Sequence, residues 1–312
     1  MRALVTGAAG FIGSTLTDEL LARGEHVRGV DCFTPYYDRT DKEANLASAR
    51  TNARFEFVEA DLRADDIAEL LDGVDVVFHQ AAQAGVRLSW SDGFADYAGH
   101  NIIGTQRLLE AARRADSTKV VYASSSSVYG NAAAYPTTET DLPSPHSPYG
   151  VTKLAAEHLC NLYAANWGVP TVSLRYFTVY GPRQRPDMAI HRLLAATLER
   201  RAFPLYGDGS AVRDFTFVGD AVDANIKAAE ADCAPGTVVN IAGGSSIAMR
   251  DLFTLVDEVI GIEPKLDEQP PQPGDVARTG GTIDAAQRVL GWEPSTDLRA
   301  GLAAQAEWHR NR

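Results

Sequence analysis

Tyr149 and Lys153 stand four positions apart in the segment Ser-Pro-Tyr-Gly-Val-Thr-Lys at residues 147–153. Proline at 148 fits the first turn of a helix and Ser147 can cap it, so both side chains are expected on one helical face. A neighbouring ammonium lowers the phenol pKa from about 10 toward neutrality, which lets a tyrosine remove a hydroxyl proton during oxidation. The same spacing also occurs on ordinary solvated helix faces. Other motifs must therefore decide between the two interpretations.

A glycine-rich turn, Gly-Ala-Ala-Gly-Phe-Ile-Gly at residues 7–13, follows the first apolar run and precedes a helical pattern. Glycine there permits a tight turn and close backbone approach to a pyrophosphate at a helix N-terminus. The second apolar run ends at Asp31, whose carboxylate can accept both ribose hydroxyls and would repel a 2′-phosphate. These features predict an NAD site. Asp61 is expected to contact the cofactor, and the alternative is that it caps a helix. The predicted cofactor residues are Gly7, Gly10, Phe11, Ile12, Gly13, Asp31, Asp61, Leu62, Ala81, Ala82, Tyr149 and Lys153.

Short β-branched runs alternate with amphipathic stretches through the first half of the sequence. This rhythm predicts an α/β fold, a Rossmann-type doubly wound parallel sheet. The expected strands are residues 3–6, 27–30, 55–59, 74–79, 119–124, 171–175 and 238–242, and the expected helices follow Gly10, Ile67, Asn101 and Pro148. The looser pattern beyond residue 181 predicts a smaller, interleaved C-terminal substrate domain. We assign residues 1–176 and about 214–242 to the cofactor domain, and residues 177–213 and 243–312 to the substrate domain.

The composition is that of a soluble globular protein, with 312 residues of which 45% are hydrophobic and 22% charged. A formal net charge of -12 disfavours nucleic acids and anionic membrane surfaces as partners. Cys32, Cys160 and Cys233 are odd in number and far apart, and the seven histidines show no metal-binding spacing. The sequence shows neither a signal-peptide pattern nor a long apolar span. We therefore expect a cytoplasmic protein without a metal site or a membrane partner.

Nearly the whole sequence resembles the extended short-chain dehydrogenase/reductase family, the NAD-dependent nucleotide-sugar epimerases and dehydratases. The motifs that carry the resemblance are the glycine-rich turn, Asp31, Ser-Ser-Ser-Ser-Val-Tyr-Gly at 124–130, Tyr149 with Lys153, Arg213-Asp214-Phe215 and Pro273-Gly274-Asp275. The resemblance implies that Tyr149 acts as base toward a sugar 4-hydroxyl while the C4 hydride passes to the nicotinamide. Lys153 would hold the nicotinamide ribose and lower the tyrosine pKa. Ser125, counted back from Val-Tyr-Gly, would bond the reacting oxygen.

Ser126 and Ser127 occupy the positions at which the family's dehydratases carry an acidic pair. Without a carboxylate there, general acid/base catalysis at C5 and C6 lacks its usual agent. An epimerase needs none, because it oxidises C4, lets the 4-keto sugar turn over and returns the hydride to the other face. The two serines therefore favour an epimerase.

The segment at 175–189, Arg-Tyr-Phe-Thr-Val-Tyr-Gly-Pro-Arg-Gln-Arg-Pro-Asp-Met-Ala, resembles the UDP-glucuronate 4-epimerase subgroup, as do the segments at 83–87 and 36–38. Thr178 stands where many relatives, UDP-galactose epimerases among them, have asparagine. A hydroxyl there with Arg185 nearby can hold a C6 carboxylate, since a guanidinium pairs well with a planar anion. Such a clamp would keep the β-keto acid formed at C4 from aligning for loss of carbon dioxide. Arg185 alternatively serves the nucleotide diphosphate or is solvated.

The resemblance implies further contacts to a UDP-sugar. Arg213 matches the family's diphosphate-binding arginine, Asp275 is expected at the uridine ribose, and Arg87 at the diphosphate or the sugar acid unless it is merely solvated. The predicted substrate-binding residues are Arg87, Ser125, Ser126, Ser127, Tyr149, Thr178, Arg185, Arg213 and Asp275. A UDP-glucose 4-epimerase and a redox-silent NAD-binding sensor on the same fold stay open as alternatives.

Family members also pair two helices across a two-fold axis into a four-helix bundle, which predicts a homodimer. The helices after Asn101 and Tyr149 carry apolar residues that suit this pairing: Ile102, Leu108, Leu109, Leu154, Leu159 and Leu162. The alternative is that these residues belong to the core of a single subunit.

Overall fold

The computed structural model describes residues 1–115, 118–272 and 274–312. Its strands are β1 (Arg2–Thr6), β2 (His26–Asp31), β3 (Phe55–Glu59), β4 (Val76–His79), β5 (Lys119–Ser125), β6 (Thr171–Tyr176), β7 (Thr178–Tyr180), β8 (Ala202–Tyr206), β9 (Val212–Phe217), β10 (Thr237–Ile241), β11 (Ser246–Ala248) and β12 (Lys265–Gln269). Its α-helices are α1 (Phe11–Ala22), α2 (Arg39–Leu46), α3 (Phe94–Tyr97), α4 (Gly104–Arg114), α5 (Pro148–Trp167), α6 (Ala189–Leu198), α7 (Val218–Glu230), α8 (Met249–Ile260), α9 (Asp284–Leu290) and α10 (Leu298–Arg310).

The main sheet has seven strands in the order β10-β6-β5-β4-β1-β2-β3, and every neighbouring pair is parallel. The chain runs outward from β1 to β3 and then returns to place β4 on the other side of β1. That reversal leaves a crevice at the carboxyl ends of β1 and β4, where ligands of such sheets bind. The predicted Rossmann-type fold is therefore confirmed. The strand expected near residues 238–242 does return to this sheet, as β10 beside β6.

Most of the predicted helices form, but the helix expected after Ile67 does not. A single 3₁₀ turn, Glu69–Leu71, stands in its place. Gly73, two residues after this turn, has a φ of 67°, so too few residues separate Ile67 from this left-handed position for a stable helix. The helix expected after Asn101 begins earlier, as α3, and continues through a π-helical segment, Ala98–Ile103, into α4. The sequence analysis did not predict α2.

Apolar side chains cover both faces of the main sheet. One layer packs α1 and α7 against residues such as Val5, Phe78 and Leu174, and it includes Trp292 from the C-terminal region. The other layer packs α4 and α5 against Leu4, Val77 and Val120. Burial of both faces explains why these strands read as continuous apolar runs. The sheet edge that carries the site is thus held by a rigid core.

A second lobe packs beside the carboxyl ends of the main sheet. It contains the three-stranded sheet β11-β9-β7 and the parallel pair β12-β8. Its own apolar core joins α6, α8 and α10 around Leu193, Leu252 and Leu302. The domain limits at residues 176, 213 and 242 stay a prediction. No helix in the described parts of the chain combines the length and apolar character needed to cross a membrane.

Candidate active site

The candidate site is a groove of about 1160 Å³ at the carboxyl end of the main sheet. The groove wall contains every predicted cofactor residue: Gly7, Gly10, Phe11, Ile12, Gly13, Asp31, Asp61, Leu62, Ala81, Ala82, Tyr149 and Lys153. Arg185 also lines it. Segments far apart in sequence thus meet where the strand order reverses.

The glycine-rich turn packs too tightly for side chains. Gly7 has a φ of 69°, and a Cβ there would lie 2.8 Å from the backbone nitrogen of Ala81. A Cβ on Gly13 would lie 2.1 Å from the carbonyl oxygen of Gly7. Helix α1 begins immediately after Gly10 without a side-chain cap, so the amide groups of its first turn open onto the groove. This cradle fits a pyrophosphate.

Asp31 ends β2 with its carboxylate fixed beside the groove. Its Oδ2 accepts a hydrogen bond from Ala9 N at 3.1 Å, and its Oδ1 accepts one from Phe33 N at 2.8 Å. Burial raises the pKa of this carboxyl, and the positive charge of Lys42 opposes the rise. The carboxylate stands where it can accept hydroxyls from an adenosine ribose. Burial also raises the pKa of the adjacent Cys32 thiol, which keeps it protonated and unreactive.

Asp61 and Arg63 both line the groove and form an ion pair. The two oxygens of its carboxylate accept hydrogen bonds from the guanidinium, at 3.1 and 2.7 Å for the closest contact of each. No helix follows Asp61, so the alternative prediction of a helix cap is wrong; Oδ1 instead accepts from Arg63 N in a turn. Cys32, Asp61 and His100 bring a thiol, a carboxylate and an imidazole within 4.8 Å of one another, a grouping that the sequence did not reveal.

The N-terminus of α5 sets the position of Tyr149. Ser147 caps the helix by accepting a hydrogen bond from Gly150 N at 3.1 Å, as the sequence predicts. A Cβ on Gly150 would lie only 2.6 Å from the carbonyl oxygen of Ser127. Glycine at this position therefore lets the helix start pack directly against the serine run. The close approach brings Tyr149 beside Ser125.

The four serines at 124–127 divide into different environments. Ser124 is buried in the groove wall, and its hydroxyl donates a hydrogen bond to Glu157 Oε2 at 2.6 Å. Ser125 accepts from Ser127 N at 3.1 Å, and its hydroxyl favours the ionised form of the Tyr149 phenol. Ser126 and Ser127 begin a 3₁₀ turn, Ser126–Val128. The structure thus places Ser125, not Ser124, at the phenol.

The electrostatics at Tyr149 correct one prediction. Burial raises the pKa of the Tyr149 hydroxyl, and the Ser125 hydroxyl and the Arg185 guanidinium only partly oppose it. Burial also lowers the pKa of Lys153 to about 7, and its Nζ lies 4.6 Å from the centroid of the Tyr122 ring. The predicted lowering of the Tyr149 pKa by Lys153 is not found: Lys153 is not among the groups that shift this pKa, and an amine with a pKa of about 7 carries only a partial charge at neutral pH.

Arg185 lies in the groove with Tyr149 and is held by Asp187. Its Nε donates to Asp187 Oδ1 at 2.9 Å, and its Nη2 donates to Oδ2 at 3.0 Å. Thr178 is half-buried at the start of β7, with Phe215 as its register partner in β9, and does not line the groove. The structure therefore brings Arg185, but not Thr178, to the cofactor groove.

Three of the other predicted substrate residues, Arg87, Arg213 and Asp275, lie outside the groove. Arg87 donates to Asp275 Oδ2 at 3.2 Å and lies 4.1 Å from the centroid of the Tyr206 ring. Burial lowers the pKa of Arg213, against the opposing charge of Asp275. Arg87, Arg213 and Asp275 thus form one cluster. Pro273 of the Pro-Gly-Asp motif lies outside the described residues.

Asn101 is a positioning residue that the sequence analysis missed. Its side chain accepts from Gln83 N at 2.7 Å and donates to Gln83 O at 3.0 Å and to Thr152 Oγ1 at 2.9 Å. It ties the loop after β4 to the helix that carries Tyr149. No local pattern marks it, because its partners are 18 and 51 residues away. His79 has a structural role, since it is buried and forms hydrogen bonds with Thr6 and Thr105.

The fold and the groove together define a class of protein. A parallel sheet with a glycine-rich cradle, an acidic residue after β2 and a serine-tyrosine-lysine group is the equipment of a dinucleotide-dependent enzyme that oxidises and reduces a hydroxyl. The chain belongs to the NAD dependent epimerase/dehydratase family, whose model matches residues 3–242.

The relatives are similar over the full length of the chain. "Uncharacterized UDP-glucose epimerase YtcB" of Bacillus subtilis (strain 168) is 43% identical, with 97% of this chain and 96% of the relative covered. UDP-glucose 4-epimerase of Mycolicibacterium smegmatis is 40% identical, with 100% and 99% covered. Among solved structures, UDP-glucuronic acid 4-epimerase from Bacillus cereus in complex with UDP-glucuronic acid and NAD is 41% identical in sequence and superposes with a TM-score of 0.96. The match covers 100% of this chain and 99% of that chain. These matches confirm the predicted family, fold, epimerase type of enzyme and NAD cofactor.

Proposed function

We propose that the protein is a UDP-glucuronate 4-epimerase, which interconverts UDP-glucuronate and UDP-galacturonate. The observation that carries this proposal is Arg185, which lines the same groove as Tyr149. Within the described structure its guanidinium is bonded only to Asp187, through Nε and Nη2, which leaves Nη1 for a substrate. A guanidinium edge beside the base suits a sugar whose C6 is a carboxylate. The 41% identical Bacillus cereus UDP-glucuronic acid 4-epimerase supports the assignment.

The chain's own residues divide the work of C4 oxidation. NAD, when bound, supplies the acceptor that takes the C4 hydride and later returns it. Tyr149 removes the proton of the 4-hydroxyl and gives it back after the keto sugar has turned over. Ser125 donates a hydrogen bond to the same oxygen, and Lys153 binds the nicotinamide ribose from the same helix as the base. Ser126 and Ser127 offer hydroxyls but no carboxylate to attack the C5 proton.

Arg185 has a second task in this proposal. Oxidation of C4 turns a glucuronate into a β-keto acid, which loses carbon dioxide when its carboxylate bond aligns with the carbonyl π system. A fixed guanidinium that holds the carboxylate sets the direction of the C5–C6 bond and keeps it out of that alignment. The clamp therefore protects the intermediate as well as binding the substrate.

The direct test incubates the purified protein and NAD separately with UDP-glucuronate and UDP-glucose and resolves the products by chromatography. We expect UDP-galacturonate from the first sugar. Arg185→Ala should raise KM strongly or release a UDP-pentos-4-ulose, whereas Arg201→Ala, which removes an exposed arginine paired with Glu199, should do neither. Unchanged affinity of Arg185→Ala together with no pentose product would contradict the proposed clamp.

A UDP-glucose 4-epimerase is the second candidate. Two observations favour it: Thr178 does not line the groove, and the two full-length relatives at 43% and 40% identity are named as UDP-glucose epimerases. Faster turnover of UDP-glucose than of UDP-glucuronate would establish it. Turnover of neither sugar would leave the redox-silent NAD-binding protein.

We further propose that the cluster of Arg87, Arg213 and Asp275 receives the UDP part of the substrate. Its two guanidinium groups suit a diphosphate, and the Asp275 carboxylate suits a ribose hydroxyl. Arg87 and Asp275 form an ion pair through one nitrogen and one oxygen, so the remaining N–H groups of the guanidinium and the second carboxylate oxygen stay available to a nucleotide. Arg213→Ala should weaken UDP binding measured by calorimetry, and unchanged UDP affinity would contradict this assignment.

We propose a homodimer whose interface uses the exposed apolar side chains of the helices after Asn101 and Tyr149. Leu108 and Leu109 are fully buried in the core of this subunit and are not available for pairing, which corrects part of the prediction. Exposed apolar side chains remain on the same helices, among them Ile103, Val151 and Leu162, which are 53%, 49% and 55% exposed. Light scattering at micromolar concentration should show a dimer for the wild type and a monomer for Leu162→Asp. Leu142→Asp alters a loop leucine that is 88% exposed and should stay dimeric. A monomeric wild type would refute the proposal.

We also propose a cytoplasmic location. The three cysteines are all free, which suits a reducing compartment. Cell fractionation with an antibody to the protein checks this location, and recovery in the membrane or secreted fraction would contradict it.

A further inference from the structure

Three loops meet around Arg185, and they place Asp187 and Tyr36 next to it. Asp187 Oδ1 and Oδ2 accept hydrogen bonds from Nε and Nη2 of Arg185. The Tyr36 hydroxyl, from the loop after β2, donates to Asp187 Oδ2 at 3.2 Å. Tyr36 and Asp187 are 151 residues apart in sequence. Neither residue was predicted to have a function.

Gly85 makes this meeting possible. It has a φ of 94°, and a Cβ there would lie 2.2 Å from the Tyr36 hydroxyl, so any larger residue would push that hydroxyl away from Asp187. The carbonyl oxygen of Gly85 lies 2.7 Å from the Tyr97 hydroxyl, which also fixes the loop. The loop that contains Gly85 is therefore fixed by Tyr97 and packs directly against the Tyr36 hydroxyl.

The bonding pattern determines which edge of Arg185 a substrate can use. A guanidinium has two edges that can bind a carboxylate with two hydrogen bonds, Nε with Nη2 and Nη1 with Nη2. Asp187 takes the first edge, so the second is the one left for the groove. A free arginine side chain samples many rotamers, and prior pairing removes much of that entropic cost before the substrate arrives.

We propose that Asp187, held by Tyr36, is a positioning residue that fixes the orientation of Arg185 and thereby selects a sugar with a carboxylate at C6. This inference rests on the proposed function, since it concerns the same sugar acid. Asp187 also offsets the charge of Arg185. The site then recognises the carboxylate by two directed N–H groups and not by excess positive charge alone.

A double-mutant cycle tests whether Asp187 acts through Arg185. Asp187→Asn keeps the shape of the side chain but turns one of its acceptors into a donor that faces the guanidinium. We expect kcat/KM for UDP-glucuronate to fall by about 10- to 100-fold, the scale of a misplaced binding group. In an Arg185→Ala background the same substitution should have almost no further effect. Tyr36→Phe should give a smaller, few-fold loss that also vanishes in that background.

Controls separate positioning from damage to the fold. Glu199→Gln removes the carboxylate partner of an exposed arginine, Arg201, two residues away in sequence, and should leave kcat/KM unchanged. Thermal melts of all variants check that they are folded. If Arg185→Ala is too slow to assay, the cycle is read from the Kd of UDP-glucuronate, measured by calorimetry on the NAD-loaded protein.

The possible results distinguish failure of this inference from failure of the proposed function. A loss in the wild-type background that disappears with Arg185→Ala supports the inference. Wild-type kinetics for Asp187→Asn, or an equal loss in both backgrounds, overturns the inference and leaves the proposed function standing. A wild-type protein that does not turn over UDP-glucuronate refutes both.

Discussion

Lys153→Met tests how strongly the buried amine of Lys153 destabilises the protein. Lys153 is only 3% exposed, and burial lowers its pKa from 10.5 to about 7. In the unfolded chain the amine keeps its ordinary pKa, so between these two values the unfolded state binds more protons than the folded state. The free energy of unfolding must therefore rise with pH across this window, and the destabilisation is complete below about pH 7.

The gap between the two pKa values sets the expected magnitude. It corresponds to a destabilisation of about 4 kcal/mol near pH 7 and about 2 kcal/mol near pH 9. Methionine is similar in length, carries no charge and can pack over the Tyr122 ring as the lysine does. Lys153→Met should thus be more stable than the wild type, by an excess that shrinks by about 2 kcal/mol between these pH values. It should also lose epimerase activity.

Urea unfolding of both proteins without cofactor, followed by tryptophan fluorescence near pH 7 and near pH 9, measures this excess. Comparison of the two proteins at each pH cancels the titration of all other groups. Parallel pH dependence of the two unfolding free energies would refute the reasoning, as would a wild type that is the more stable protein near pH 7. Turnover of UDP-glucuronate by the variant would show that the amine is not needed for catalysis.

Two further substitutions test the support of the site. Gly150→Ala adds a Cβ that would lie 2.6 Å from the carbonyl oxygen of Ser127, so we expect kcat to fall by about 100-fold as Tyr149 moves. Gly104→Ala is the control and should retain activity, because its Cβ would meet only ordinary contacts at 3.6 Å or more. Equal activity of the two variants would contradict this prediction. Glu157→Gln breaks a buried ion pair with Arg175 and should lower the free energy of unfolding by about 3 to 5 kcal/mol in urea titrations, and a change below about 1 kcal/mol would refute the structural role.

Much of the fold and the cofactor site could be predicted because local rules govern them. The strand Phe55–Glu59 has the predicted limits, and the Ser147 cap with Pro148 starts α5 as expected. A turn, a cap or an apolar run reveals itself within a few residues, since its energetics depend on near neighbours. The helix expected after Ile67 does not form, and the cause is also local: Gly73, six residues later, adopts a left-handed conformation that interrupts the helix.

The substrate end of the groove could not be predicted in this way. The sequence did not show that Ser124 and Ser125 have different hydrogen-bond partners. It also did not show that Leu108 is buried in the core and not on an exposed helix face. Ser124 is fixed by Glu157, 33 residues away, and Leu108 packs under the main sheet. Such contacts depend on how complete elements pack against one another.

The order of the chemical groups along the chain could be read directly from the residues: a glycine cradle, an acidic residue after the second strand, a serine run, and a tyrosine and lysine on one helical turn. The partner of each charged group depends on the folded chain. The fold pairs Arg185 with Asp187 and Asp187 with Tyr36, lowers the pKa of Lys153 by burial, and pairs Arg87 with Asp275. The strength and direction of an electrostatic contact depend on burial and on partners from distant segments, and these exist only once the sheet has folded.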